Sequence, residues 1–296
     1  MSYEEELCFS NPSIEVVENS LWYYADRPVA DKVKDIVLLL HGKNNTGFGV
    51  WSWSYFNSMP RDGFYPVALT LPHSNTADLN ISGKYVAAAI YILRRKFPAH
   101  HIHIVAHSMG NISAAWAFHY RPSFMSKHVT SFCSIGAVYA GVANLYPGKP
   151  ATPADLQVIA GSNFLKEINS APFPDPVRYL SIISETDEVT TGNALTAKEI
   201  ATFPAGTKGK VVTPQEVFGL NTKISHVEEV AVSSVYEIVR AFLRNEEINL
   251  LKVKNLYYEG MEIDGLNLTL NSGDKISHHG DSPLVTQEPP LNDVVI

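Results

Sequence analysis

The chain has 296 residues, 45% of them hydrophobic, with 23 Lys and Arg against 30 Asp and Glu for a formal net charge of −7. That length fits one α/β domain with decorations, and the apolar share suffices for a sizeable core. A mildly acidic chain without a basic run argues against a nucleic-acid partner, and no apolar run is long enough to cross a membrane.

The chain opens on Met1-Ser2-Tyr3-Glu4-Glu5-Glu6, early acid with no apolar stretch behind it, so no signal peptide is expected. Its two cysteines, Cys8 and Cys133, do not make a disulfide framework. A cytoplasmic location, or export by a signal-independent route, follows as the expectation.

From residue 33 to residue 244, strand-like runs alternate with helical patterns. Ile14–Tyr24 reads as an antiparallel edge strand. The runs Ile36–Leu40, Tyr65–Leu71, Ile102–Ala106, Val129–Gly136 and Tyr179–Ser184 are short and largely apolar on both faces, as strands of a buried parallel sheet are. Asp78–Phe97 places Ile81, Tyr85, Ala89 and Leu93 on one helical stripe and stops at Pro98. Gly141–Val177, rich in Pro, Ala and Gly yet holding Leu156, Ile159, Phe164, Leu165 and Ile168, is too long for a simple connection and reads as a lid or pocket wall. Val211–Leu220, broken by Pro214, offers one more strand. Val227–Arg244 closes the pattern as a helix, with Glu228 and Glu229 in its first turn and Arg240 and Arg244 near its end, matching the dipole. The fold class expected is α/β: a mostly parallel, doubly wound sheet with helices on both faces and a lid-like insertion. The expected division is a catalytic domain over residues 1–249, with the insertion at 141–177, and a C-terminal extension over 250–296 whose end is poorly ordered.

The strongest chemical signal is Ile102-His103-Ile104-Val105-Ala106-His107-Ser108-Met109-Gly110, followed by an Ala-rich stretch to Tyr120. An apolar strand, a small-x-Ser-x-Gly turn and a helix together make a nucleophile elbow, which projects a serine hydroxyl above the sheet. Positions two before and two after the serine must be small, and here they are Ala106 and Gly110. An acyl-transfer serine also needs oxyanion donors. The backbone N–H of Met109 is one candidate. The N–H of Lys43, in the loop Leu40-His41-Gly42-Lys43-Asn44-Asn45-Thr46-Gly47, is the other, and Thr46 offers a hydroxyl. His41 is read as support for that loop.

The order Ser, acid, His then selects the remaining partners. His226 directly precedes the closing helix, and Asp187 follows the strand-like Tyr179–Ser184, with Glu185 and Glu188 as neighbouring alternatives. His100, His101 and His103 lack carboxylate or cysteine company and read as strand and surface positions, so no metal is expected. No phosphate cradle or dinucleotide fingerprint appears, so no cofactor is expected. Trp51, Trp53, Tyr55 and Phe56 read as packing, or as one wall of an acyl site.

The elbow Ala106-His107-Ser108-Met109-Gly110 resembles that of the small class 2 bacterial lipases. Ala160–Asn169 is similar to a segment those lipases carry before the acid strand. Ser184-Glu185-Thr186-Asp187-Glu188-Val189 resembles the acid loop of yeast lipase B-type enzymes. The resemblance covers residues 33 to 244 and implies an α/β-hydrolase fold and a lipase or esterase acting through an acyl-enzyme, with Ser108 as nucleophile, His226 as base and Asp187 as its orienter. It implies carboxylic esters as substrates and no cofactor; a small-molecule or lipid ester is expected, with the apolar content of Gly141–Val177 leaning towards a lipid-like acyl chain and transient contact with a lipid surface. A thioesterase, a polyester depolymerase or an acyltransferase would use the same apparatus, and a catalytically silent binding protein on this fold is the alternative from another class.

Overall fold

A computed structural model describes residues 12–24, 35–144, 150–190, 192–219 and 221–248, together with the backbone of two short strands near the C-terminus. The strands are β1 (Leu21–Tyr23), β2 (Asp35–Leu40), β3 (Phe64–Leu69), β4 (His101–His107), β5 (Ser131–Ile135), β6 (Arg178–Ile182), β7 (Gly209–Val212), β8 (Met261–Ile263) and β9 (Leu266–Leu268). The helices are α1 (Ile14–Asn19), α2 (Gly47–Trp51), α3 (Tyr55–Ser58), α4 (Leu79–Lys96), α5 (Met109–Tyr120), α6 (Pro122–His128), α7 (Pro153–Val158), α8 (Asn163–Ile168), α9 (Ala197–Ile200), α10 (Pro214–Phe218) and α11 (Ser233–Arg244).

Seven strands form one sheet in the order β1-β3-β2-β4-β5-β6-β7, parallel throughout except for β1, which runs antiparallel to β3. The order reverses between β2 and β4, since β3 lies on one side of β2 and β4 on the other. That reversal is the place where open α/β sheets leave a crevice beyond the carboxyl ends of their strands. Register aligns those ends: Leu40 sits opposite Ala106, His107 opposite Ile135, and Ile135 opposite Ile182. The loops after β2, β4, β5 and β6 therefore leave the sheet at one edge.

Alternation along each strand splits the core in two. Ile36, Leu38, Leu40, Ile102, Ile104, Ala106 and Phe132 face one side, packed against α4 and α5. Val37, Leu39, Val105, Cys133, Ile135, Leu180 and Ile182 face the other, with Val235, Ile238 and Val239 of α11. Because both faces are covered, the strands read as unbroken apolar runs rather than as alternating ones. Helix α5 is buried around nearly its whole circumference, and α4 approaches it so closely that a Cβ on Gly83 would stand 2.4 Å from the Trp116 ring.

Several expectations need correction. Ile14–Tyr24 is a helix followed by a three-residue strand, and its Ser13 caps α1 by accepting from the Val16 N–H. The strand expected at Val211–Leu220 lies at Gly209–Val212, and Pro214, favourable as a first helical residue, starts a short helix instead. Val227–Arg244 is not one helix. A short 3₁₀ turn at Glu228–Val230 precedes Val232, extended at ψ 135°, and the helix proper begins at Ser233. Trp51, Tyr55 and Phe56 are fully buried in the core on the α11 side, so they pack the sheet and line no open pocket.

The insertion is docked. Gln157 accepts from the Leu79 N–H at 2.8 Å and donates to Asp78 at 2.6 Å, and Asn169 donates to the Tyr139 carbonyl at 2.8 Å. Beneath it Phe118 stacks on Phe132 and on Phe173, with ring centroids 5.3 Å apart in both cases. Among the described residues no helix is long and apolar enough to cross a membrane. Of the expected C-terminal extension, the described part is a two-stranded antiparallel ribbon, β8 with β9; the rest lies outside the described residues.

Phe118 joins the sheet, α5 and the insertion in one aromatic stack. Phe118→Ala should therefore lower unfolding stability by about 3–5 kcal/mol, as large-to-small core changes do. Urea denaturation followed by tryptophan fluorescence measures this, and a loss below about 1 kcal/mol would mean that the stack is not a packed unit.

Candidate active site

Ser108 ends β4 and begins α5 in a conformation that side-chain-bearing residues rarely adopt, with φ 54° and ψ −128°. Such backbone costs about 1–3 kcal/mol and persists only where the surroundings fix it. Here the Ser108 N–H donates to the Ile135 carbonyl at 2.9 Å, and the Asn111 side chain donates to the same carbonyl at 2.8 Å. The two flanking chains come close enough to demand small residues. A Cβ on Gly110 would stand 2.6 Å from the His41 carbonyl oxygen, and one on Gly42 would stand 2.8 Å from the Ser108 Cβ. The glycine after β2 and the turn after β4 are thus in direct contact across the switch point. As the first residue of α5, Met109 has no intrahelical acceptor for its N–H, which lies beside the serine.

His41 fixes the loop that carries Lys43. It is fully buried; its Nδ1–H donates to the Gly42 carbonyl at 2.6 Å, and its Nε2 accepts from the Leu71 N–H at 2.9 Å. These bonds select one tautomer of a neutral ring, and burial lowers its pKa to about 4. Asn44 continues the loop by donating to the Ser74 carbonyl at 2.8 Å. The Thr46 hydroxyl is engaged as the cap of α2, accepting from Gly49 at 3.0 Å. The Lys43 ammonium reaches across to the insertion, 2.6 and 2.7 Å from the two carboxylate oxygens of Asp155. Burial raises the Asp155 pKa, but the ammonium and the Thr152 capping groups outweigh it and hold the carboxyl below the usual range.

Asp187 and His226 are brought together. Asp187 is 1% exposed, and its carboxylate accepts from the His226 Nδ1–H at 2.8 Å while also accepting from the Val189 N–H at 2.8 Å. The acid and base loops are laced elsewhere too. The His226 N–H donates to Glu188 at 2.8 Å, and Thr186 exchanges hydrogen bonds with the backbone of Ile224 at 2.9 and 3.1 Å. Asp187, not Glu185 or Glu188, therefore holds the imidazole; Glu185 accepts from Thr213, and Glu188 holds the backbone of the base.

Ser108 meets His226 through their neighbours. His107, on the α11 side of β4, donates from Nε2 to the His226 carbonyl at 3.0 Å, and the two rings lie 4.7 Å apart. Burial and the nearby His226 hold the His107 pKa well below its ordinary value, so this ring is neutral. Gly136, next to the Ile135 that anchors Ser108, has φ 56°, and a Cβ there would stand 3.0 Å from the His226 ring. No described hydrogen bond joins Ser108 to His226, a contact that free enzymes commonly complete only when substrate binds.

Sequence reasoning missed Asp155, Gly136 and Glu229. Glu229 is completely buried against the acid loop, with its carboxyl accepting from the Ser184 N–H. His107, His226 and Glu229 bring candidate ligand atoms within 4.8 Å of one another, but both histidines already have protein partners, and we assign no metal to them. His103 is buried between Ser131, at 2.7 Å, and Asp35, at 3.5 Å, as a strand position; His101 is exposed.

No family model matches the chain, and no curated protein matches it in sequence. Solved structures do match. Lipase B of Aspergillus fumigatus superposes with a TM-score of 0.67 at 17% identity, over 82% of this chain and 62% of that one. Bacillus licheniformis lipase BlEst2 in its mature form gives 0.52 at 15% identity, over 77% and 98% of the two chains. A truncated carbohydrate esterase from gut microbiota gives 0.53 at 15% identity, over 76% and 95%. The fold is the α/β-hydrolase fold of lipases and esterases, and the chain spans 62% of the length of the Aspergillus enzyme.

Two outcomes follow from this geometry. His41, and with it His103 and His107, is neutral in the fold with a lowered pKa, so the unfolded chain binds more protons in acid. Stability should be full above about pH 6.5 and fall towards about pH 4, with His41 alone contributing about 2 kcal/mol of loss by about pH 5. Urea midpoints at about pH 7 and about pH 5 measure it, and an unchanged midpoint would contradict neutral burial. Second, Asp155→Ala removes the two Lys43–Asp155 contacts and should speed hydrogen exchange in the loop after β2 and in the insertion with little change in global stability, because the pair fixes geometry rather than contributing net stability. Hydrogen-exchange mass spectrometry together with a urea midpoint separates the two effects.

Proposed function

We propose that this chain is a serine hydrolase that cleaves carboxylic esters through an acyl-enzyme. The observation that carries the reading is the buried Asp187–His226 pair, with its hydrogen bond of 2.8 Å, set beside a serine held at φ 54° on the same sheet edge. A serine in that backbone has no structural use that would repay its strain, and such strain concentrates at functional sites.

Ser108 Oγ attacks the ester carbonyl carbon as His226 Nε2 takes its proton. The imidazolium is stabilised by the Asp187 carboxylate, which fixes the tautomer. The carbonyl oxygen, now negative, points to the N–H groups of Met109 and Lys43, preorganised donors in a low-dielectric site. Collapse of the tetrahedral intermediate expels the alcohol, which receives the proton from Nε2. Water then enters, gives its proton to His226 and attacks the acyl carbon, and the acid leaves as Ser108 recovers its hydrogen. No cofactor or metal takes part in this scheme.

Lipid-like acyl esters are the substrate class we favour. The insertion presents Leu156, 56% exposed, beside Asp155, and Val227, 63% exposed, directly follows His226. These two exposed apolar side chains, each next in sequence to a residue of the site, are what favours an acyl chain and transient contact with a lipid surface.

Hydrolysis of p-nitrophenyl esters from acetate to palmitate, by wild type and by Ser108→Ala, tests this. Wild type should turn over and prefer the longer chains, and the variant should lose activity by about 10⁴-fold or more. Equal inertness of two folded proteins would move the reading to a silent binding protein. A preference for acetate would retain the hydrolase and remove the lipid.

A further inference from the structure

Glu229 is buried beside the imidazole, and the proposed catalytic cycle gives it no part. It is fully buried, and one carboxyl oxygen accepts from the Ser184 N–H at the start of the acid loop. The other, Oε2, has no hydrogen-bond partner among the described residues and lies 4.0 Å from His226 Nδ1, the nitrogen that Asp187 holds at 2.8 Å. Room for it depends on Gly136: a Cβ there would stand 2.4 Å from Glu229 Oε2 and 3.1 Å from His226 Nδ1. A buried carboxyl with an unsatisfied oxygen is expensive.

We infer that Glu229 is a second acid of this site, a positioning residue that braces the acid loop against His226 and takes over the Nδ1–H hydrogen bond when Asp187 is removed. The inference rests on the Ser108–His226–Asp187 reading above.

The surroundings keep Glu229 in reserve. Burial pushes its carboxyl well above the ordinary carboxylate range, the Asp187 charge pushes the same way and outweighs the Ser184 N–H, and Glu188 adds to the push. The other titratable groups nearby are His226 on its own turn, His107 from β4, and Tyr55 from α3, itself beside Cys133. Burial raises Tyr55 and Cys133 and lowers His107, so all three are neutral. Two carboxylate charges around one imidazole would repel, so the Asp187 carboxylate favours the protonated form of Glu229. Removing the Asp187 charge removes a major cause of that protonation. Glu229 then releases its proton to solvent, and Oε2 need move only about 1 Å to accept from Nδ1–H. The catalytic proton still passes from Ser108 Oγ to Nε2 and on to the leaving group, so the cycle balances with either acid.

The test is a double-mutant cycle in the full chain with a p-nitrophenyl ester, across pH. Asp187→Ala removes the acid without offering an amide that would trap the wrong tautomer. It should keep about a tenth to a hundredth of wild-type kcat, rising with pH as Glu229 ionises. Asp187→Ala with Glu229→Gln should fall about 10⁴-fold below wild type and lose that rise. Glu229→Gln alone should cost less than about tenfold, so the two changes are strongly non-additive. Equal, pH-independent losses in Asp187→Ala and the double variant, both folded by circular dichroism, would overturn the inference. If the alanine cavity unfolds the chain, Asp187→Ser repeats the cycle. Infrared difference spectra between wild type and Glu229→Gln at neutral pH give an independent reading: a protonated carboxyl band is expected, and an ionised one overturns the proposal. Failure of the triad reading looks different, because Ser108 would then not label with a phosphonate probe even in wild type.

Discussion

The turn at Ser108 is the constraint around which the rest is arranged. A residue with a side chain is held at φ 54° because the strand before it is paired on both sides and the helix after it is buried, so the chain has no room to relax. Gly42 and Gly110 allow the neighbouring backbones to close on it, and His41, locked by two hydrogen bonds, keeps the Gly42 loop from retreating. Strain at one residue is thereby supported by many groups that are not strained.

Asp187 and His226 are positioned by a different device. Both stand on loops beyond the sheet edge, where nothing like a strand ladder fixes them. Side chains make up the difference: Thr186 to Ile224, Glu188 to the His226 N–H, Glu229 to Ser184, and Gln215 to both Ser184 and Thr222. Of these groups Ser184, Gln215, Ile224, His226 and Glu229 are buried, where hydrogen bonds are strong and an unmade one is costly. Such a network tolerates few alternative arrangements, and the Asp187–His226 separation is set by all of it rather than by the pair alone.

The insertion joins the site through Lys43 and Asp155. An ion pair so largely withdrawn from solvent contributes little net stability, because desolvation opposes attraction, but it fixes geometry. With Gln157 tied to Asp78 and Leu79, the segment forms a wall held to α4 and to the loop after β2 together.

The sequence by itself determined the sheet and the elbow. Strands buried on both faces must be apolar throughout, and a serine between strand and helix needs small residues at Ala106 and Gly110; both are local demands written in consecutive residues. Chain order and the ends of predicted elements pointed to His226 and to the acid loop, but the choice of Asp187 over Glu185 and Glu188 came from the hydrogen bond to the imidazole. Only the tertiary structure decided where Glu229 lies. Its place in a first helical turn suggested a dipole match in solvent, whereas the break at Val232 turns that segment into a 3₁₀ turn and buries the carboxyl behind His226. The same holds for Trp51 and Tyr55, whose burial on the α11 side depends on which face of the sheet that helix covers, and for Lys43 and Asp155, which are 112 positions apart. Periodicity records whether a residue is buried. What it is buried against follows from strand register and helix packing, which pair segments distant in the chain and leave no local mark.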